Sequence, residues 1–96
     1  MPRIRWSTQS EADLARHYHF LAAKSLSAAV QAIETIYKSA ANLSSMPYMG
    51  LVIDEKSGLR KWPVAFGKSG YVLHYKVIDD EIVIDAVYAG RENRMY

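Results

Sequence analysis

The sequence predicts an α+β fold, β-α-α-β-β-β, with a helical hairpin packed on one face of a mostly antiparallel four-stranded sheet. Tyr71, Leu73, Tyr75 and Val77 alternate with Val72, His74, Lys76 and Ile78; after Asp79-Asp80 the alternation resumes from Glu81 to Tyr88. That is a hairpin written in branched and aromatic residues. Residues 8–43 instead carry apolar side chains at helical spacing, broken once between Ser25 and Ser27. Ahead of them, Arg3-Ile4-Arg5-Trp6 alternates polar and apolar as a short first strand ending at Ser7.

Taken in order, Ser7 or Thr8 can cap the first helix. Thr8-x-x-Glu11 fits a capping box, and Glu11 and Asp13 suit the positive end of the helix dipole. Leu14, Tyr18, Leu21 and Ala22 keep helical spacing up to Lys24. A second helix, capped from Ser25–Ser27, sets Val30, Ile33, Tyr37 and Ala40 on one stripe with Ala29, Ile36 and Leu43 beside it. Met46-Pro47 ends it, because a residue before proline is pushed out of the α region. Residues 48–57 read as a connection, and Leu59–Val64 resumes strand character, with Pro63 confined to an edge or bulge. Gly67-Lys68-Ser69-Gly70 turns into the hairpin.

A two-residue loop at Asp79-Asp80 fixes the hairpin register by counting back from it. Val77 then faces Ile82, Tyr75 faces Ile84, Leu73 faces Ala86 and Tyr71 faces Tyr88 on a core face. Lys76 opposite Val83, His74 opposite Asp85 and Val72 opposite Val87 make a mixed face, where function is expected. Leu73, Tyr75, Ile84 and Ile33 are the predicted core.

The 96 residues, 50% hydrophobic and 23% charged, suit one folded domain, 1–96, and not a disordered chain. There is no cysteine, which removes disulfides and thiolate metal sites and is compatible with a reducing cytoplasm. No apolar run approaches a membrane span, and Met1-Pro2-Arg3 is not followed by a signal-peptide core. A net charge of +2 is too small to argue nucleic-acid binding, but the cations are placed unevenly. Arg3, Arg5, Lys56, Arg60, Lys61, Lys68, Arg91 and Arg94 all lie outside the helical segments.

Four constellations invite chemistry. Phe66-Gly67-Lys68-Ser69-Gly70 ends like a nucleotide-binding P-loop, but the required first glycine is replaced by Trp62 and a strand follows, so a hairpin turn is the better reading. His17 and His19, two apart on a helix, cannot face the same way and have no third ligand nearby, so they are read as solvated or cap-region residues and no metal site is expected. His74 opposite Asp85 can orient an imidazole for acid–base work, although such a pair also stabilises a sheet with no chemistry, which is the favoured reading. Gly90-Arg91-Glu92-Asn93-Arg94-Met95-Tyr96 gathers two guanidiniums and a phenol that can hold phosphates, dock an acidic partner or simply be solvated.

Five motifs in this order resemble those of a known family. They are Ile4-Arg5-Trp6-Ser7 before Ala12-Asp13-Leu14; Leu43 to Gly50 with Met46-Pro47-Tyr48-Met49-Gly50; Gly58-Leu59-Arg60 before Trp62-Pro63-Val64; Gly70-Tyr71-Val72-Leu73-His74-Tyr75; and Gly90-Arg91-Glu92. Over nearly the whole chain they are similar to the RelE/ParE superfamily of toxins from bacterial type II toxin–antitoxin modules. The resemblance implies a cytoplasmic toxin with no cofactor, neutralised by an antitoxin encoded in an adjacent gene whose extended segment wraps it. RelE-like members cut mRNA on the ribosome; on that reading Arg91 and Tyr96 stand where the family has its arginine and tyrosine, with Lys56, Arg60 or Lys61 as basic partners. ParE-like members lack that set and poison DNA gyrase. The residue 66–71 turn and the Gly90-Arg91-Glu92 ending look more like the ParE type, so a non-enzymatic gyrase inhibitor is expected over an endoribonuclease, with an inactive relic as a third class. Arg60, Lys61, Lys68, His74, Arg91 and Arg94 are the expected partner-binding residues.

Overall fold

In a computed structural model, residues 2–92 are described. The elements are β1 (Arg3–Trp6), α1 (Thr8–Ala22), α2 (Leu26–Leu43), β2 (Leu51–Asp54), β3 (Leu59–Val64), β4 (Tyr71–Ile78) and β5 (Glu81–Ala89). The strands form one five-stranded sheet in the order β1-β5-β4-β3-β2, parallel only between β1 and β5. Both helices cover one face, α1 against β5 and α2 against β3. The expected class therefore holds, with one strand more than predicted. The extra strand is β2, inside the stretch read as a connection; Leu51-Val52-Ile53 is too short an apolar run to show a period.

Local chemistry sets the helix ends. Ser7, not Thr8, is the cap of α1: its Oγ accepts from Ser10 N–H at 3.0 Å, and Ser10 Oγ donates back to Ser7 O at 2.8 Å. A serine pair thus replaces the expected Thr8–Glu11 box. Ser25 caps α2 by accepting from Ala28 N–H at 3.1 Å. The buried stripe of α2 is Ala29, Ala32, Ile36, Ala40 and Leu43. Val30 and Tyr37, expected to be buried, are 44% and 48% exposed, and Ile33 is half-buried. The helix is rotated so that three alanines face inward, where small side chains let it approach the layer beneath.

The core joins that stripe to Leu14 and to Leu73, Tyr75, Ile82, Ile84 and Val87 of the sheet. Asp79 and Asp80 both take positive φ, 49° and 61°, the left-handed pair that a tight two-residue hairpin requires. The predicted register holds from that turn to Tyr75↔Ile84. There it breaks: Asp85 is the extra residue of a bulge, His74 pairs with Ala86, Leu73 with Val87, Val72 with Tyr88 and Tyr71 with Ala89. The expected His74–Asp85 pair does not form, and Asp85 instead meets Lys76 at 3.6 Å. The inserted residue also flips the later side chains, so Val87 is fully buried and Tyr88 stands on the face away from the helices.

Tyr75 is fully buried, yet its hydroxyl is satisfied twice: it accepts from Gly50 N–H and donates to Pro47 O, both at 2.8 Å. A Cβ at Gly50 would collide with this ring, so glycine is required there. Burial raises the tyrosine pKa, against the opposing hydrogen bond from Gly50 and the charge of Arg60.

Ile84→Ala, at a fully buried position, should destabilise by roughly 2–5 kcal/mol in chemical denaturation. Tyr75→Phe should cost about 1–3 kcal/mol, because it strands a buried amide and removes a donor from a carbonyl. Lys76→Ala should stay within about 0.5 kcal/mol.

Candidate partner-binding site

Past residue 84 the edge of β5 has no neighbouring strand among the described residues, because the chain leaves β1 at Ser7 to begin α1. Side chains take over the pairing. Ser7 N–H donates to Ile84 O at 3.0 Å, and Ser7 Oγ donates to Asp85 O at 2.9 Å. One residue pair further, Asp13 Oδ2 accepts from Val87 N–H at 2.9 Å and His17 Nε2 lies 2.8 Å from Val87 O. A carbonyl only accepts, so His17 carries its proton on Nε2. Asp13 and His17 lie four apart on one face of α1, both 4% exposed, and together they read one peptide unit as a strand would. The expectation of a solvated or cap-region His17 is corrected here, whereas His19 is exposed. Ala89 N–H then donates to Glu92 Oε1 at 2.9 Å, which also accepts from Arg16 Nη1 at 3.2 Å. Burial alone would raise the Glu92 pKa, but the Ala89 amide, Arg16 and His17 hold it below the ordinary value.

This latched edge forms one wall of an open cavity of about 550 Å³. Phe20 and Leu21 of α1, Phe66 of the β3–β4 connection and Tyr71 of β4 contribute its apolar surface; Arg16, Lys68, Arg91 and Glu92 contribute its charges. The Arg91 guanidinium lies over the Phe20 ring at 4.3 Å. The turn from β3 to β4 closes the cavity, with Gly67 and Gly70 at φ 58° and 65°. A Cβ at Gly70 would meet the Val64 carbonyl. The Gly-Lys-Ser-Gly stretch is thus a turn between strands, as read from the sequence.

A second depression, about 150 Å³, opens on the face away from the helices and is lined by Lys61, His74, Tyr88 and Glu92 among others. Lys61 is the cross-strand neighbour of His74, and the His74 ring meets that of Tyr88 edge-on at 4.7 Å. The anticipated residues therefore divide. Lys68 and Arg91 share the first cavity, Lys61 and His74 share the second, and Arg60 lines neither. Arg60 Nη1 donates to Tyr48 O at 2.9 Å and Gly50 O at 2.8 Å, and its guanidinium stacks over the Tyr48 ring at 5.2 Å. Lys56 lies in the exposed turn between β2 and β3. Arg94 and Tyr96 fall outside the described residues. Arg16, Phe20 and Phe66 were missed; the one signal was Phe20, a large apolar residue on the outer side of a helix.

A five-stranded sheet in this order, with a helical hairpin on one face, is an architecture shared with a solved protein. The solved structure titled "Chromosomal ParDE TA system from P. aeruginosa" has the same fold, with a TM-score of 0.73 at 21% identity over 93% of this chain and 96% of that one. Toxin RelE3 of Caulobacter vibrioides (strain ATCC 19089 / CIP 103742 / CB 15) is 30% identical over 94 residues, 98% of this chain and 100% of that protein. The family model of the ParE toxin of type II toxin–antitoxin systems, parDE, matches residues 4–94. The chain belongs to the ParE toxin family: it is the toxin of a type II module, and its partner is a cognate antitoxin.

Asp13→Ala should leave a buried amide without an acceptor, costing about 1–3 kcal/mol and speeding hydrogen exchange at Val87. The depressed Glu92 pKa gives the pH dependence its sign. Its stabilisation is present above the ordinary glutamate value of 4.5 and is lost as pH falls through the lower folded-state value. Glu92→Gln should therefore narrow the stability gap to the parent as pH drops below that range, measured by denaturation at fixed salt.

Proposed function

We propose that this toxin acts in the cytoplasm by binding and inhibiting DNA gyrase, with no bond broken by the toxin itself. The observation that carries the reading is the dispersal of the cations. Cleavage of RNA by its 2′-hydroxyl needs a base, a cation for the phosphorane charge and a proton donor around one phosphate. Among the described residues, Arg60 is committed to backbone carbonyls of the loop before β2, Lys61 lies on the open sheet face, and Arg91 stacks on Phe20 at the helical side. Such an arrangement suits a spread binding surface better than a single reacting centre. Membership of the ParE family supports the same target. No helix among the described residues is long and apolar enough to cross a membrane, which agrees with action inside the cell.

A second reading rests on Lys61, His74 and Tyr88, which share one depression on the open face. An imidazole there can take a hydroxyl proton while an ammonium offsets phosphate charge, and one relative carries the RelE3 name. This is the endoribonuclease alternative, with the ribosome and mRNA as partners.

Expression in cells separates the two. Gyrase inhibition predicts broken DNA, an SOS response and filamentation while translation continues. Single alanines at Lys68, Arg91 or His74 should then graduate toxicity. A nuclease predicts arrested translation and cleaved mRNA, with a loss of about 10²–10³ in rate on removing one key charge contact. Cleaved mRNA in a purified translation reaction free of gyrase would overturn the first reading.

A further inference from the structure

We infer that the toxin, when free, pairs with a second copy of itself through the outer edge of β2, antiparallel about a two-fold axis, so that two five-stranded sheets join into one. The inference is independent of the cellular target and goes beyond the antitoxin partnership.

The two edges of the sheet are finished differently. β1 carries Arg3 and Arg5, both exposed, behind Pro2. Charge and proline of this kind keep an edge from recruiting another strand. β2 runs Leu51-Val52-Ile53-Asp54 with no lysine, arginine or proline, and Leu51 and Val52 are 63% and 38% exposed. β3 occupies one side of this strand, in the register Leu51↔Lys61 and Val52↔Arg60. The other side ends the sheet and has no strand beside it among the described residues. The edge is also held in place before anything docks on it, because Tyr75 and Arg60 bind the backbone of Pro47, Tyr48 and Gly50 just ahead of it. Its four residues and the register shift between Val52 and Asp54 allow only a short seam. Association in about the 10–100 µM range is therefore expected.

Charge selects the occupant. Asp54 and Glu55, both exposed, make one end of β2 acidic; Lys56, next in the turn, offsets only one of the two. Beside the other end, on β3, stand Arg60 and Lys61, and neither forms a salt bridge among the described residues. A two-fold axis perpendicular to the sheet reverses the second strand, so the acidic end of each copy lies against Leu51 of the other. Arg60 and Lys61 are then one strand further in, roughly 10 Å away and within a Debye length. The faces agree as well. Leu51 and Asp54 pair with Lys61 and Leu59, which share the face away from the helices, and rotation about this axis keeps that face common to both copies. A strand from another molecule would need a matching charge gradient of its own, which the second copy supplies by symmetry. The cavity beside α1 is lined by no residue between 46 and 58, so both copies keep it open.

The test uses the full-length toxin freed of antitoxin, followed by sedimentation across a concentration series. The parent should pass from one chain towards two, and the amides of residues 51–54 should exchange more slowly as concentration rises, a readout that needs no variant. Leu51→Asp, which sets acid against the partner's acid, should weaken association by about tenfold or more, and Asp54→Lys by several-fold. Both positions are exposed, so each variant should melt within a few degrees of the parent. Mixing the two variants should restore association to within about threefold of the parent, because the new aspartate then faces the new lysine only in an antiparallel pair. Phe20→Asp, at another exposed apolar residue on α1, serves as the control and should change association less than about twofold. A toxin that stays a single chain throughout, an equal loss in Phe20→Asp, or no recovery in the mixture would overturn the inference. So would protection of residues 51–54 that appears only when the full-length antitoxin is added, since the edge would then belong to the antitoxin.

Discussion

The arrangement depends on how the edge of β5 is satisfied once β1 has ended. A buried strand edge without partners would leave amide and carbonyl groups stranded, at about 1–3 kcal/mol each. Asp13 and His17 remove that cost from a helix, across sequence separations of 74 and 70 residues. This fixes the rotation of α1 about its own axis, because both side chains must reach one peptide unit. The rotation in turn decides that Phe20 and Arg16 border the cavity. It also explains why a buried carboxylate is tolerated: Asp13 accepts from Val87 N–H and from Gln9 Nε2, each at 2.9 Å, so both oxygens are occupied.

At the other end of the sheet a different device sets the surface. Tyr75 and Arg60 between them bind the backbone of Pro47, Tyr48 and Gly50, so the segment before β2 is held by groups below it. Its side chains are thereby turned outward: Met46, Tyr48, Met49 and Leu51 are at least half exposed. The fold thus offers two surfaces of different form. One is a concave apolar cavity bordered by charges, the other a set of apolar side chains displayed on a fixed loop.

Much of the fold was legible because period and turn chemistry speak locally. The Asp79-Asp80 turn, the first two inward pairs of the hairpin and the Ser25 cap each follow from a few adjacent residues. What escaped reading was set by distance. The bulge at Asp85 has no local signature; it coincides with Ser7 reaching Asp85 O from 78 residues away. That one insertion removed the anticipated His74–Asp85 pair and sent Val87 into the core. The burial of His17 was hidden for the same reason, since its partner is a backbone carbonyl that no sequence pattern marks. Of the cavity lining, Lys68 and Arg91 stand out in the sequence as expected partner-binding residues, while their meeting with Phe20 and Phe66 depends on α1 lying over β5.

The long reach of these bonds bears on how the toxin comes into being on the ribosome. The helical hairpin and β1 emerge first, yet β1 finds its sheet partner in β5, and α1 finds the acceptor and donor for Asp13 and His17 in the same strand. Until residues 81–89 have left the exit tunnel, the nascent chain holds its apolar faces without the sheet that covers them. The cavity, needing both the β3–β4 turn and Arg91, forms last. A growing chain therefore stays without its finished sheet through most of its synthesis.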